Sequence, residues 1–540
     1  MRSAGFRPLS CAVLVIGLLT WIPLAVVFSS LAHPDTSLWQ HLAEHVLPDL
    51  LGNTFWLVLG VSAGVLLLGV PLAWLTAVYQ FPGRRFFSWA LMLPLAMPAY
   101  VLAFVQVGLL DYTGPLQTAL RDWFDVDIQF PEVRSRGGAI LILSLAFYPY
   151  VYLLARSAFI TQGQRLLEAG QSLGLNRTQG FFRVALPLAR PWIAAGLLLT
   201  LMETLADFGT VSILNYDTFT TAIYKAWFSL FSLPSAAQLA SILVLLVFVI
   251  LALEQRTRMR QRYAISRDTP KQAIPLQGWR AWCASGWAAL VFLVAFGIPA
   301  LQLSLWAAKV IAGDLDARYW GFIGNTLLLA AIVCITVIAC ALTLAYAQRQ
   351  SQAQRPALGQ RTTRLMVRLS VLGYAIPGSV LAVGIFIPVA WLDNQIIELL
   401  ALNSTGILKG TLLVMACALA ARFMAVGFNP VESAMHRISP SQELAARSLG
   451  ATGFSLVRRL HMPLLRSGLF TGMLLVFVDV MKEMPITLMT RPFGWDTLAV
   501  RIFEMTSEGE WQRAALPSLI LVLSGLIPVL LLARQTERAR

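Results

Sequence analysis

Four carboxylates interrupt apolar stretches at matching places in the two halves of the chain. Glu203 and Asp207 lie in the run 191–213, and Asp479 and Glu483 lie in the run 467–490, each pair four residues apart. On a helix that spacing puts both members on one face. If the first run starts near Pro191, a rise of 1.5 Å per residue sets Glu203 roughly 18 Å and Asp207 roughly 24 Å along the axis. An ionised group at the centre of a lone membrane span costs about 2.5–3.5 kcal/mol on insertion scales, so these groups should face a polar cavity or a partner. A duplicated acidic pair suits a cation path, because hard cations favour carboxylate oxygens. Pairing with Lys482, or capping of irregular backbone, is the alternative.

Other chemistry is sparse. His41-Leu42-Ala43-Glu44-His45 has the spacing of an inverted metallopeptidase zinc pattern, but the stretch around it is too short to supply a third ligand and a cleft. None of the five lysines follows a glycine, so no phosphate loop is present, and neither a catalytic nor a cofactor-binding residue is assigned. The five cysteines lie in or beside apolar stretches with no Cys-x-x-Cys pair, and read as small hydrophobes, with no metal site.

What must position the acidic pairs is a membrane bundle. Of 540 residues, 57% are hydrophobic and 13% charged, which excludes a soluble, collagen-like or disulfide-rich secreted chain. Apolar runs near 9–31, 55–79, 87–110, 138–160, 191–213, 237–253, 283–307, 322–347, 366–391, 410–428, 467–490 and 515–533 give about twelve spans of an all-α polytopic protein. The excess of 41 basic over 27 acidic side chains lies between these runs, which argues against nucleic acid and for cytoplasmic loops. Arg2, Arg7, Arg84, Arg85 and the basic stretch from Arg256 to Lys271 should face the cytoplasm, while His33 to Thr54, with Asp35, Glu44 and Asp49 and no Lys or Arg, should face outward. Both termini are then inside. The first apolar run is long for a cleaved leader ending at Ser30-Leu31-Ala32, so it is expected to remain.

The halves are copies. Glu168-Ala169-Gly170-Gln171-Ser172-Leu173-Gly174, followed by Arg183 and Leu186-Pro187, recurs as Leu444-Ala445-Ala446-Arg447-Ser448-Leu449-Gly450, then Arg459 and Met462-Pro463, at identical spacing. Small residues build a short helix that Gly174 or Gly450 ends in the left-handed conformation. Asn176 and Thr452 can cap a second helix, and Pro187 and Pro463 suit the first turn of the next span. A helix, turn and helix at the inner membrane surface, open to close approach by another protein, is the expected shape.

These loops resemble the EAA loop of ATP-binding-cassette (ABC) importer permeases, and the resemblance covers almost the whole chain. It implies two tandem six-helix type I permease repeats, 1–254 and 281–540, joined by a basic cytoplasmic linker at 255–280, with the loops near 161–190 and 437–466. It implies that Glu168, Ala169, Gly170 and Gly174, with Glu443, Leu444, Ala445, Ala446 and Gly450, dock two copies of a separate ATPase, which would bind the ATP and Mg that this chain does not. Leu444 departs from the pattern, standing where the first copy has Glu168. Ala206-Asp207-Phe208-Gly209-Thr210-Val211, the stretch Phe219 to Phe228, Lys482-Glu483-Met484-Pro485, Arg491-Pro492-Phe493 and Asp496-Thr497-Leu498-Ala499 look like fused ferric iron importer permeases. Thiamine and aminoethylphosphonate permeases match these segments less well. The resemblance also implies a bacterial inner membrane location and an external substrate-binding protein. A secondary transporter shares the plan of two parallel halves but has no need of the duplicated inner loop.

Overall fold

The computed structural model describes residues 6–32, 36–125, 130–160, 170–172, 174–258, 273–315, 317–352, 358–401 and 406–538. Nearly all are helical, because in hydrocarbon each backbone N–H and C=O must find its partner within its own segment. Eleven described helices are long and apolar enough to cross a membrane, or twelve if the bent pair Arg84–Ala96 and Ala99–Phe124 forms one span.

That pair corrects the continuous span expected at 87–110, since its halves meet at 95°. Met97 is extended (φ −96°, ψ 119°) ahead of Pro98, whose ring disfavours helix at the preceding residue and whose nitrogen has no hydrogen to donate. The second half breaks in the same manner. Ile376 is extended before Pro377, so the run expected at 366–391 divides into Leu358–Val371, a tight turn at Leu372–Ala375, and Gly378–Leu399. The stretch His33 to Thr54, read as an outward loop, is largely helical, and one apolar helix runs over Trp39–Val78.

Proline also sets a finer irregularity. Four single π-turns that lie wholly within the described residues, Leu42–Val46, Phe181–Ala185, Leu293–Gly297 and Val457–His461, each end two residues before a proline: Pro48, Pro187, Pro299 and Pro463. The missing proline N–H and the clash of its ring with the carbonyl four residues back are relieved by one extra residue in the turn. Pro187 and Pro463 therefore do not open new helices, as the sequence suggests; helix continues through them over Arg177–Ala206 and Val457–Lys482.

The compact units are not the sequence halves. One comprises 1–35, 223–241 and 317–500; the other comprises 36–222, 242–316 and 501–540. In the first, Phe6–Ser29 packs on Leu358–Val371 and Gly378–Leu399, helices of the second repeat. In the second, Ile298–Asp314 and Trp511–Arg538 pack on each other and on Ala99–Leu110 of the first repeat. Each repeat thus places its opening helix against the other's core. Glycine makes the approach close enough: a Cβ on Gly384 would stand 2.7 Å from the Pro23 carbonyl oxygen, and one on Gly108 would stand 2.6 Å from the Trp306 ring. Most of the linker expected at 255–280 lies outside the described residues. Its end, Ile274–Pro275, pairs in parallel with Tyr79–Gln80. Beneath that pairing Phe81, Ala281 and Ala284 form a small apolar cluster.

Candidate functional site: docking turns and acidic hairpins

Glu168, Ala169 and Leu173 of the first loop lie outside the described residues. What is described there is the turn. Gly174 has φ +80°, Leu175 N–H donates to the Gly170 carbonyl at 2.9 Å, and Gly174 N–H donates to that of Gln171 at 2.9 Å. Gly450 repeats it at φ +84°, with Ala451 N–H on Ala446 and Gly450 N–H on Arg447, both at 3.0 Å. This paired closure consumes two carbonyls that a helix end leaves unpaired, and it needs a left-handed residue at its apex. Asn176 then caps Arg177–Gly180 in a reciprocal box with Gln179. Thr452 instead offers its carbonyl to Ser455 N–H at 3.0 Å, the chain turning through Gly453 at φ +51°.

The helix of the second loop, Pro440–Ser448, expected to dock an ATPase, opens on a box between Ser439 and Gln442 and buries none of its residues. Leu444 is 68% exposed and Leu449 beyond it 85%. Ala445 is exposed between them, while Ala446 is half-buried. Apolar side chains displayed on a short polar helix make it a candidate contact surface. Glu443 points the other way, and its carboxylate is held by Arg349 and His461 of its own chain.

The acidic pairs do not share helical faces. Each helix stops one residue short, at Ala206 and at Lys482, and Asp207 (ψ 127°) and Glu483 (ψ 123°) are extended. Pro485 cannot supply the N–H that would bond Met481, and Gly209 holds the matching place. Beyond the break both carboxylates turn onto a short helix that follows. Asp207 accepts from Thr210 Oγ1 at 2.9 Å and from Val211 N–H at 3.2 Å. Glu483 accepts from the N–H groups of Ile486 (3.0 Å) and Thr487 (3.2 Å) and from Thr487 Oγ1 (3.3 Å). They serve as side-chain caps for buried amides that would otherwise be orphaned. Arg422 lies close enough to Glu483 to interact electrostatically. Gly378 leaves room for both, since a Cβ there would be 2.7 Å from Glu483 Oε1 and 3.1 Å from Arg422 Nη1. Glu203 and Asp479 stay on their helices, half-buried, and Asp479 interacts with Lys482.

Each hairpin is latched by a motif that the sequence reading overlooked. Gly52-Asn53-Thr54 recurs as Gly324-Asn325-Thr326. Asn53 Nδ2 donates to the Asp217 carbonyl and Asn325 Nδ2 to that of Asp496, both at 3.1 Å. Tyr216 hydroxyl returns a bond to the Asn53 carbonyl at 3.0 Å, and in the second half Leu498 N–H donates to Thr326 Oγ1 at 2.9 Å. An amide side chain recurring at the head of a span in both halves was the available signal. His41 and His45 lie on a helix with rings stacked at 4.9 Å, and no cluster of three metal-ligating side chains occurs among the described residues.

Two left-handed turns at equivalent places, the second beside a helix with displayed apolar side chains, on a duplicated helical bundle whose broken helices are capped by carboxylates, agree with one family. The profile described as "Binding-protein-dependent transport system inner membrane component" matches residues 69–264 and again 357–540. The chain belongs to that family. It is an ABC importer permease, a multi-pass inner membrane protein of a family that works with ATPase and substrate-binding protein partners. The Fe(3+)-transport system permease protein FbpB 2 of Haemophilus influenzae is 27% identical over 97% of this chain and 98% of that protein. The molybdenum transport system permease protein ModB of Escherichia coli is 29% identical over 39% of this chain and 94% of its own length. The sulfate transport system permease protein CysT of Salmonella typhimurium is 27% identical over 35% of this chain. The chain is thus matched end to end by a permease named for Fe(3+) transport and in part by permeases named for molybdenum and sulfate transport.

Proposed function

We propose that this permease imports ferric iron, delivered by an external binding protein, and that two copies of an ATPase dock at Gly170–Gly174 and Ala445–Gly450 with their flanking loops. The observation that carries the substrate is end-to-end similarity to a fused permease named for Fe(3+) transport. The half-buried carboxylates Glu203 and Asp479 stand as candidates for the cation path, and Asp207 and Glu483 shape its walls through the hairpins they cap. ATP and Mg belong to the ATPase. The reconstituted complex should accumulate radiolabelled ferric iron in proteoliposomes only with ATP and the binding protein present. Accumulation of molybdate or sulfate with no iron would reject the substrate.

Orientation follows from charge: both termini and the 255–280 linker face the cytoplasm, where Lys and Arg are retained. In a cysteine-free background, Arg262→Cys should react with a membrane-impermeant maleimide in inverted vesicles and stay unlabelled in intact cells. Labelling from outside intact cells would invert the topology.

A further inference from the structure

The corner beneath the second docking helix is ionic, and it hangs on one side chain. Arg349, near the end of Ala317–Gln352, uses all of its guanidinium nitrogens on three points of the chain. Nη1 donates to the Met435 carbonyl at 2.7 Å, Nη2 to the Ile438 carbonyl at 2.6 Å, and Nε to Glu443 Oε1. The first two carbonyls close the C-terminal end of Leu412–His436, where a cation also meets the negative end of the helix dipole. The same Glu443 oxygen lies 3.0 Å from His461 Nε2, and His461 is 2% exposed with Tyr346 edge-on to its ring at 5.8 Å. Burial alone would raise the Glu443 carboxyl, but the hydrogen bonds from Arg349 and His461, with their charges, hold it below the usual carboxylate value. One arginine and one carboxylate therefore join the ends of Ala317–Gln352, Leu412–His436 and Val457–Lys482 to Pro440–Ser448.

At the equivalent positions of the first half the aligned residues are aromatic or apolar, and the Arg84 guanidinium there donates to the carbonyls of Thr76 (2.9 Å) and Ala77 (3.3 Å). Aligning Gly52-Asn53-Thr54 with Gly324-Asn325-Thr326 sets Trp74 opposite Tyr346 and Ala77 opposite Arg349. The loop alignment sets Leu167 opposite Glu443 and Ala185 opposite His461. Trp74 packs there on Phe159 at 5.0 Å and Phe181 at 4.7 Å. Aromatic surfaces can slide over one another, whereas a forked guanidinium fixes direction as well as distance.

We propose that Arg349, through Glu443, is the positioning residue that makes the second docking helix move as one body with the membrane helices, so that ATPase closure there is converted into movement of the bundle. This rests on the permease reading. Its role is transmission and not docking, because Arg349 and Glu443 face the bundle while Leu444, Ala445 and Leu449 face outward.

The test uses the complete complex in proteoliposomes, measuring ATPase copurification, ATP hydrolysis and radiolabelled ferric iron uptake for wild type, Arg349→Ala, Arg349→Lys and Arg349→Ala with Glu443→Gln. Arg349→Ala should keep the ATPase bound and hydrolysis within about twofold while uptake falls about tenfold, the scale of losing a charge-assisted hydrogen-bond set. ATP spent per ion then rises about tenfold. Arg349→Lys, which keeps charge but loses the fork, should fall between. The double variant should be no worse than Arg349→Ala, since both changes break one joint. An unchanged ratio of ATP to iron in Arg349→Ala overturns the proposal, and so does loss of the ATPase from the complex, which would make the arginine a docking residue. A wild-type complex that takes up no iron overturns the transport reading itself.

Discussion

Glu483→Ala is expected to destabilise the protein by about 3–5 kcal/mol and to abolish uptake with it, the scale seen when one member of a buried ionic, hydrogen-bonded set is removed. The carboxylate takes hydrogen bonds from Ile486, Thr487 and the Thr487 hydroxyl, and it is 6% exposed. Alanine leaves two buried amides without their acceptor, and it leaves Arg422 without its nearby opposite charge. Glu483→Gln keeps one acceptor oxygen and should lose less. Asp207→Ala should behave as Glu483→Ala does, since its carboxylate caps Val211 and Thr210. Melting temperature in detergent, read beside uptake, separates this from a path role. Parallel loss of both is the expected result for Asp207 and Glu483. For Glu203→Gln with Asp479→Asn, uptake should fall while melting stays near wild type. Uptake unchanged after all four amide replacements would remove the acidic groups from the path, and an unchanged melting temperature in Glu483→Ala would refute the capping role.

The repeats, the helical class and the left-handed turns were legible in the sequence because each rests on a local rule. Lipid permits only self-satisfied backbone, so composition alone reports helices. Gly174 and Gly450 occupy positions where any side chain is strained, so their spacing reports the turn. What stayed hidden depends on the direction of an axis. Hydropathy counts residues, and the run 87–110 remains apolar through the 95° bend at Pro98. The same blindness put Asp207 on the face of Glu203, because four residues in a helix and four across a break look alike in a string. The exchange of opening helices is written in close approaches such as Gly384 to Pro23, which carry no periodic signal. The ionic corner joins Arg349 to Glu443 across 94 residues, and only the fold brings them together.

Ala445→Trp is expected to strip the ATPase from the purified complex and reduce uptake to background, with no change in the melting temperature of the permease alone. Ala445 is exposed on a helix that buries none of its residues, so the indole meets nothing in its own chain. Any effect then falls on a partner that needs close approach. Gly174→Trp and Gly450→Trp extend the argument: a Cβ at either position meets no atom within 4 Å, but the left-handed backbone adds strain of about 1–2 kcal/mol. Their folding cost is therefore small and calculable, and a larger loss of ATPase binding must come from the contact itself. Gly174→Ala serves as the control, because it carries the strain without the bulk. If Gly174→Ala loses the ATPase as fully as Gly174→Trp, the turn geometry and not surface complementarity governs docking. Normal copurification and uptake in both Ala445→Trp and Gly174→Trp would mean that the ATPase does not bind these turns, leaving the exposed Leu444 and Leu449 without the partner assigned to them.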